Sequence, residues 1–328
     1  MDTGKRSTVA VSDALPHSAA DGVTDWLLRR ACGLRRLPNG DLRTRRRVLR
    51  AAVAAFGELW LAGAGRAAVG SRTVRFGLTP AFLHDQHGLL ADWREYLRDK
   101  LGRPVEFVLR DSYRETMDLL RLTKIDFAWI CDYPYLHLKD EVRLMAVPLY
   151  RGRPYYRSYL IVAARNLHVS SIAQLKGNIF AYADPYSNTG YLAPRYALHR
   201  LGENPERFFR KTFFTYSHRK VIEAVASGLA VAGAVDSYVW DSLAVVAPEI
   251  TRQTRIVSIS EEFGFPPLVA HRSVGDEEFR QMQGVLLNMG RDPGGRSLLA
   301  RFHIDAFIPG KPAMYDGVAR MMLAFGEG

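Results

Sequence analysis

Two successive sets of alternating strands and helices, joined by an extended apolar crossover and closed by a return segment, predict an α/β fold of two lobes. Each lobe is expected to be a mostly parallel sheet flanked by helices, with a ligand cleft between them beyond the carboxyl ends of the strands. The alternation begins near residue 72, the crossover falls at residues 156–164, and the return leads in at residues 268–271. This organisation divides the chain into a leader at 1–70, a first lobe at 71–165 and 267–328, and a second lobe at 166–266.

In chain order, residues 73–79 form a short β-type run before Pro80. Leu89, Leu90, Trp93, Tyr96, Leu97 and Leu101 then recur at helical spacing until Gly102 stops them. A strand at 105–109, a helix at 113–122 and an almost wholly apolar strand at 125–130 follow, the last of the kind buried on both faces of a parallel sheet. A helix from 133 and a strand at 143–150 complete the first set. The second set reads strand 178–183, helix 191–201, helix 219–227, strand 231–235, helix 238–246 and strand 255–258. Two helices near 277–302, broken at Asp292-Pro293-Gly294, and at 315–325 end the chain.

The net charge of +11 is unevenly placed, with +6 in residues 1–50 and +5 in the 258 residues from 71 onward. The mild balance of the body suits an anionic ligand better than nucleic acid. Its single basic and aromatic run, residues 151–157, reads as a solvated loop. Thr44 to Arg50 (TRRRVLR) is similar to a twin-arginine export signal; a weakly apolar stretch and the small residues Ala62-Gly63-Ala64 follow it. Cys32 falls in this leader, so its removal leaves Cys131 as a lone thiol.

The sharpest chemical signal is Asp184-Pro185-Tyr186-Ser187-Asn188-Thr189-Gly190-Tyr191, between a strand and a helix. Two hydroxyls, an amide and a glycine at a helix start gather donors and free backbone N–H groups suited to a tetrahedral anion. The same residues also suit an ordinary helix cap, the commoner use of such a sequence.

Asp184 to Pro194 resembles the ligand loop of periplasmic phosphonate/phosphite/phosphate-binding proteins of ABC importers. Residues 76–79, 124–129, Ser217-His218 with the apolar helix after it, 231–237 and 292–296 resemble further motifs of that family in order, over roughly residues 73–312. The resemblance implies a type II periplasmic binding protein, exported to the periplasm, monomeric, and delivering a small oxyanion to a permease. It implies that Ser187, Asn188 and Thr189 donate to the anion, that His218 donates from a ring nitrogen, and that Tyr113 reaches in from the first lobe. Ile130 and Cys131 stand at the mouth of the third strand, and Asp236 and Tyr238 where the family places polar pocket groups. The chain departs from aminophosphonate binders near Tyr238 and in Phe265-Pro266-Pro267, where those proteins carry carboxylates, so a plain oxyanion is expected.

Cys131 is a second departure, since thiolates suit soft centres such as trivalent arsenic. An alternative is therefore an arsenite-binding protein that serves a sensor kinase. Phosphate loops of the Gly-x-x-x-x-Gly-Lys type, Cys-x-x-Cys, His-Glu-x-x-His and Gly-x-Ser-x-Gly are absent from the sequence. Cys131 and His218 as nucleophile and base lack an orienting third group. The expectation is binding without catalysis, cofactor, metal or nucleic acid.

Overall fold

The structure is a computed structural model that describes residues 72–79 and 87–327. The expected leader, with its arginine motif and Cys32, lies outside the described residues. Among them no helix is long and apolar enough to cross a membrane.

The first sheet takes β1 (Val74–Leu78), β2 (Val105–Leu109), β3 (Phe127–Trp129) and β4 (Val142–Leu149) from the first half of the body. Next come β5 (Tyr155–Tyr156), β6 (Ser158–Ala163), β7 (Ile179–Tyr182), β8 (Lys211–Phe214), β9 (Ala232–Asp236), β10 (Thr254–Ile259) and β11 (Phe263–Gly264). The chain then returns through β12 (Leu268–His271) and β13 (Ala306–Pro309) to the first sheet. The spatial order is β13-β4-β12-β3-β1-β2 in the first sheet and β10-β6-β9-β7-β8 in the second. The crossover run thus supplies β6, an interior strand of the second sheet.

Strands built as strand–helix–strand units pair in parallel: β1 with β2 and β3, and β7 with β8 and β9. Strands that arrive by the long connections pair antiparallel, so each sheet is mixed. A small antiparallel ribbon sets Tyr156 opposite Phe263 and holds the two connections side by side.

Burial follows from this layering. β3 (FAW) and β6 (SYLIVA) are buried at every position, as strands covered on both faces must be. The first core gathers Phe76, Trp93, Trp129 and Phe302, with Trp93 5.3 Å from Phe76 and 5.1 Å from Phe302 in edge-to-face contact. In the second sheet alternate residues face opposite cores. Ile161, Ala181 and Val235 pack under Val221 and Ile222, while Leu160, Val162, Phe180 and Tyr182 pack under Leu198 and Phe209. Gly233 permits the first of these contacts: a Cβ there would lie 2.4 Å from Val221 Cγ1.

Candidate functional site

Strand ends of both sheets converge on one buried cage. From the second sheet, β7 ends and the chain turns at Asp184 into a π-type turn, Asn188–Leu192, capped by Ser187. The helix Ala193–Arg200 continues it, with Pro194 in the first turn. Ser187, Asn188 and Thr189 have no solvent exposure. From the first sheet, β3 ends at Trp129 and Cys131 precedes the helix Asp132–His137.

Ser187 Oγ accepts the Gly190 N–H at 3.0 Å and lies 3.3 Å from His218 Nε2. The Asp236 N–H donates to His218 Nδ1 at 3.1 Å, so the ring proton sits on Nε2 and points at Ser187. Two donors fill the lone pairs of Ser187 Oγ and leave its own O–H to donate elsewhere. Burial pushes the His218 pKa down to about 3, so the ring acts as a neutral donor. Thr189 Oγ1 is buried and has no hydrogen-bond partner among the described residues, while Ser158 Oγ–H donates to the Thr189 carbonyl at 2.6 Å.

Asn188 reaches across to the first lobe. Its Nδ2 donates to Asp132 Oδ2 at 2.8 Å and to the Tyr156 hydroxyl at 3.4 Å, and Tyr156 in turn donates to Asp132 Oδ1 at 2.8 Å. Turning the amide over would set its carbonyl against a carboxylate, two acceptors face to face, so the chemistry fixes the assignment. Both amide hydrogens meet protein groups, and the atom left without a partner among the described residues is the buried carbonyl oxygen Oδ1. The expected donor role of Asn188 is thus replaced, in this arrangement, by an acceptor.

Cys131 donates from Sγ to Asp132 Oδ1 at 3.0 Å and accepts the Asn188 backbone N–H. Burial pushes its thiol well up, and the neighbouring Asp132 adds to the rise. Burial also raises Asp132, to about 6, against the downward pull of bonds from Cys131, Tyr156, Asn188 and the Tyr133 N–H. Tyr113 packs against Cys131 and donates its backbone N–H to Asp184 Oδ2 at 3.1 Å across the lobes.

Three expected site residues are turned to structural work. Asp236 Oδ1 caps the next helix by accepting the Tyr238 and Val239 N–H groups, though its backbone N–H holds His218 in place. The Tyr238 ring packs on Tyr150 and Phe265, and its hydroxyl donates to the Phe302 carbonyl at 2.5 Å. Ile130 lies in the first core, with its N–H on the Pro267 carbonyl. Conversely, Asp132 and Tyr156 belong to the cage although no local motif marks them. A cavity of about 610 Å³ opens beside the cage along the lobe seam, lined among others by Arg114, Asp184, Tyr186, Tyr191 and Arg195.

The family model for the periplasmic phosphonate substrate-binding protein of ABC transporters matches residues 76–315. A phosphonates-binding periplasmic protein of Escherichia coli K12 is 23% identical over 240 residues, 70% of each chain. A probable phosphite-binding protein of an ABC transporter from Prochlorococcus marinus MIT 9301 is 26% identical over 234 residues, 68% of this chain and 79% of that one. The solved structure of the Prochlorococcus protein PhnD1 in complex with methylphosphonate superposes with a TM-score of 0.71 at 20% identity, covering 78% of this chain and 99% of that one. A binding-protein component of a phosphonate ABC transporter from Pseudomonas aeruginosa gives 0.71 at 21% identity, covering 76% and 85%.

Proposed function

The chain belongs to the family of periplasmic phosphonate substrate-binding proteins of ABC transporters, and on that premise we propose that it captures a single phosphonate, phosphite or phosphate-type oxyanion, without turnover, for an importer permease. The observation that carries this reading is the fully buried Ser187-Asn188-Thr189 turn, with a Thr189 hydroxyl that has no partner among the described residues beside a Ser187 hydroxyl free to donate. Backbone N–H groups at the start of a helix complete a neutral donor set of the kind that holds a tetrahedral anion. The protein acts as a monomer in the periplasm, sent there by the leader at residues 1–70.

Titration calorimetry and thermal unfolding test the reading with methylphosphonate, phosphite and phosphate. One-to-one binding is expected, and ligand at about 100 times its Kd adds about 2.7 kcal/mol of stability. Ser187→Ala combined with Thr189→Ala is expected to abolish both signals. Wild-type affinity in the double variant places the site elsewhere. For export, Arg45→Lys with Arg46→Lys is expected to hold precursor in the cytoplasm; unchanged periplasmic fractionation removes the twin-arginine route.

Arsenite capture for a sensor kinase rests on Cys131 alone. Its thiol is in the cage, but its proton is engaged with Asp132 and burial opposes the thiolate that arsenic needs. Cys131→Ser is expected to leave phosphonate binding within a few-fold of wild type. Arsenite binding by wild type that this change eliminates would restore the sensor reading.

A further inference from the structure

We propose that Asp132 is a specificity-determining residue of the cage: by orienting Asn188 it makes the site require a ligand that brings a proton, the P–OH of a half-ionised phosphonate-type anion, and reject a fully ionised oxyanion such as sulfate. The inference rests on the oxyanion-binding reading above and narrows it.

The chain of cause begins at a carboxylate that only accepts hydrogen bonds. Asp132 Oδ2 draws the Asn188 NH2 at 2.8 Å, and the Tyr156 hydroxyl takes the second amide hydrogen at 3.4 Å. Tyr156 cannot relieve Asn188 by donating to it, because its proton is engaged with Asp132 Oδ1. Asn188 Oδ1 is then a buried acceptor with no donor among the described residues. An anion-binding site lined by donors alone tolerates any tetrahedral anion. A site that also carries an unmatched acceptor repels an anion with only lone pairs to offer and welcomes one with a hydroxyl hydrogen.

The charges around Asp132 point the same way. The titratable groups that face it are Cys131, Tyr113, Tyr156, Tyr315 and Asp236, all of which ionise to anions. Among the described residues no lysine or arginine is buried, and His218 is held neutral. A dianion entering this enclosure meets carboxyl groups and, among the described residues, no buried cation, the arginines Arg114 and Arg195 lining only the cavity outside it. A monoanion that donates to Asn188 adds less charge and satisfies the orphaned acceptor. Asp132 itself, raised by burial to about 6, is mainly carboxylate at neutral pH, which keeps the amide in this orientation.

The full-length wild-type protein is titrated calorimetrically with methylphosphonate and with sulfate, from about pH 7 to about pH 9. The apparent affinity for methylphosphonate is expected to fall about tenfold per pH unit above the ligand's second ionisation, because only the protonated form binds. Sulfate is expected to give no heat. In Asp132→Asn the new amide can donate to Asn188 Oδ1 and let the Asn188 amide turn over, presenting NH2 to the ligand. That variant is expected to flatten the pH profile and to gain sulfate binding by at least about tenfold. Thermal unfolding of the ligand-free variant reports whether it folds; if it does not, the wild-type profile and the sulfate comparison decide alone. A flat wild-type profile, or sulfate bound as tightly as methylphosphonate, overturns the proposal while leaving oxyanion binding intact. Tight, pH-independent binding of aminomethylphosphonate beside weak methylphosphonate binding assigns the donor to an ammonium group and also overturns it. Wild-type protein that binds none of methylphosphonate, phosphite or phosphate at any pH removes the oxyanion reading itself.

Discussion

His218 works uncharged, and that has a consequence for stability. Its pKa is about 3 in the fold against 6.5 when unperturbed. Between those values the unfolded chain holds a proton that the folded chain lacks, so acidification favours unfolding by about 1.4 kcal/mol per pH unit. Asp132 acts in the opposite sense: it rises from 3.8 to about 6 on folding, so the folded chain holds the extra proton and gains stability as pH falls through that window. The two effects oppose each other between about pH 4 and about pH 6. Replacing His218→Gln removes one of them. The variant is expected to gain on wild type, as pH drops from about 6.5, by about 1.4 kcal/mol per unit in urea unfolding. A constant difference across that range means that His218 titrates normally. A strand-to-helix junction and a family-like motif mark Ser187, Thr189 and His218 as candidates in the sequence, and the fold buries the three together. Asp132 and Tyr156 are not so marked, because their part depends on a contact across the lobes, 56 and 32 positions from Asn188. Tyr156 sits in the run read as a solvated loop, where Arg153 and Arg157 do pair with Glu262 at the surface while the tyrosine between them is buried. Tyr238 fails as a pocket residue for a related reason, since its side chain serves the first core.

At the scale of elements, the turn 187–192 is held by a close approach that only glycine allows. A Cβ at Gly190 would lie 2.5 Å from Ala183 Cβ and 2.9 Å from His218 Cε1, on two elements that cannot both retreat. Gly190→Ala is expected to cost about 1–3 kcal/mol in denaturant unfolding and to weaken oxyanion binding by more than about tenfold, because it separates His218 from Ser187. Unchanged affinity would show that the spacing of the two donors is immaterial. The helix Tyr113–Arg121 begins with a capping box, in which Ser112 and Glu115 satisfy each other's backbone N–H groups. Most elements are visible in the sequence because interior strands show continuous apolar runs and helices show their 3.6-residue period. In the two large sheets the strands missed are β8 (KTFF) and β13 (AFIP), both at sheet edges, and the short β5–β11 ribbon is missed as well. An edge strand is covered incompletely, so β8 alternates nothing and exposes Lys211 and Thr212. The mixed pairing of the sheets is invisible for another reason: strand direction depends on the route of the long connections, which composition does not encode.

For the whole molecule, the cage exists only where the lobes meet. Asn188 to Asp132, Tyr113 to Asp184 and Tyr238 to Phe302 all join one lobe to the other. The connections between the sheets run together as the β5–β11 ribbon, beside the cage, and a hinge is expected there. The arrangement seen buries Asn188 Oδ1 and Thr189 Oγ1 without partners among the described residues, at a cost of about 1–3 kcal/mol each. An oxyanion that carries both an acceptor for Thr189 and a donor for Asn188 removes that cost only in the closed form. Its differential affinity is therefore expected to drive the lobes together. Small-angle scattering is expected to give a larger radius of gyration for ligand-free protein than for protein saturated with methylphosphonate. The double variant Ser187→Ala with Thr189→Ala is expected to keep one radius under both conditions, since it lacks the donors that make closure favourable. Identical radii for wild type with and without ligand, when calorimetry shows binding, would mean that the lobes are locked by their direct contacts and that the hinge carries no part of recognition.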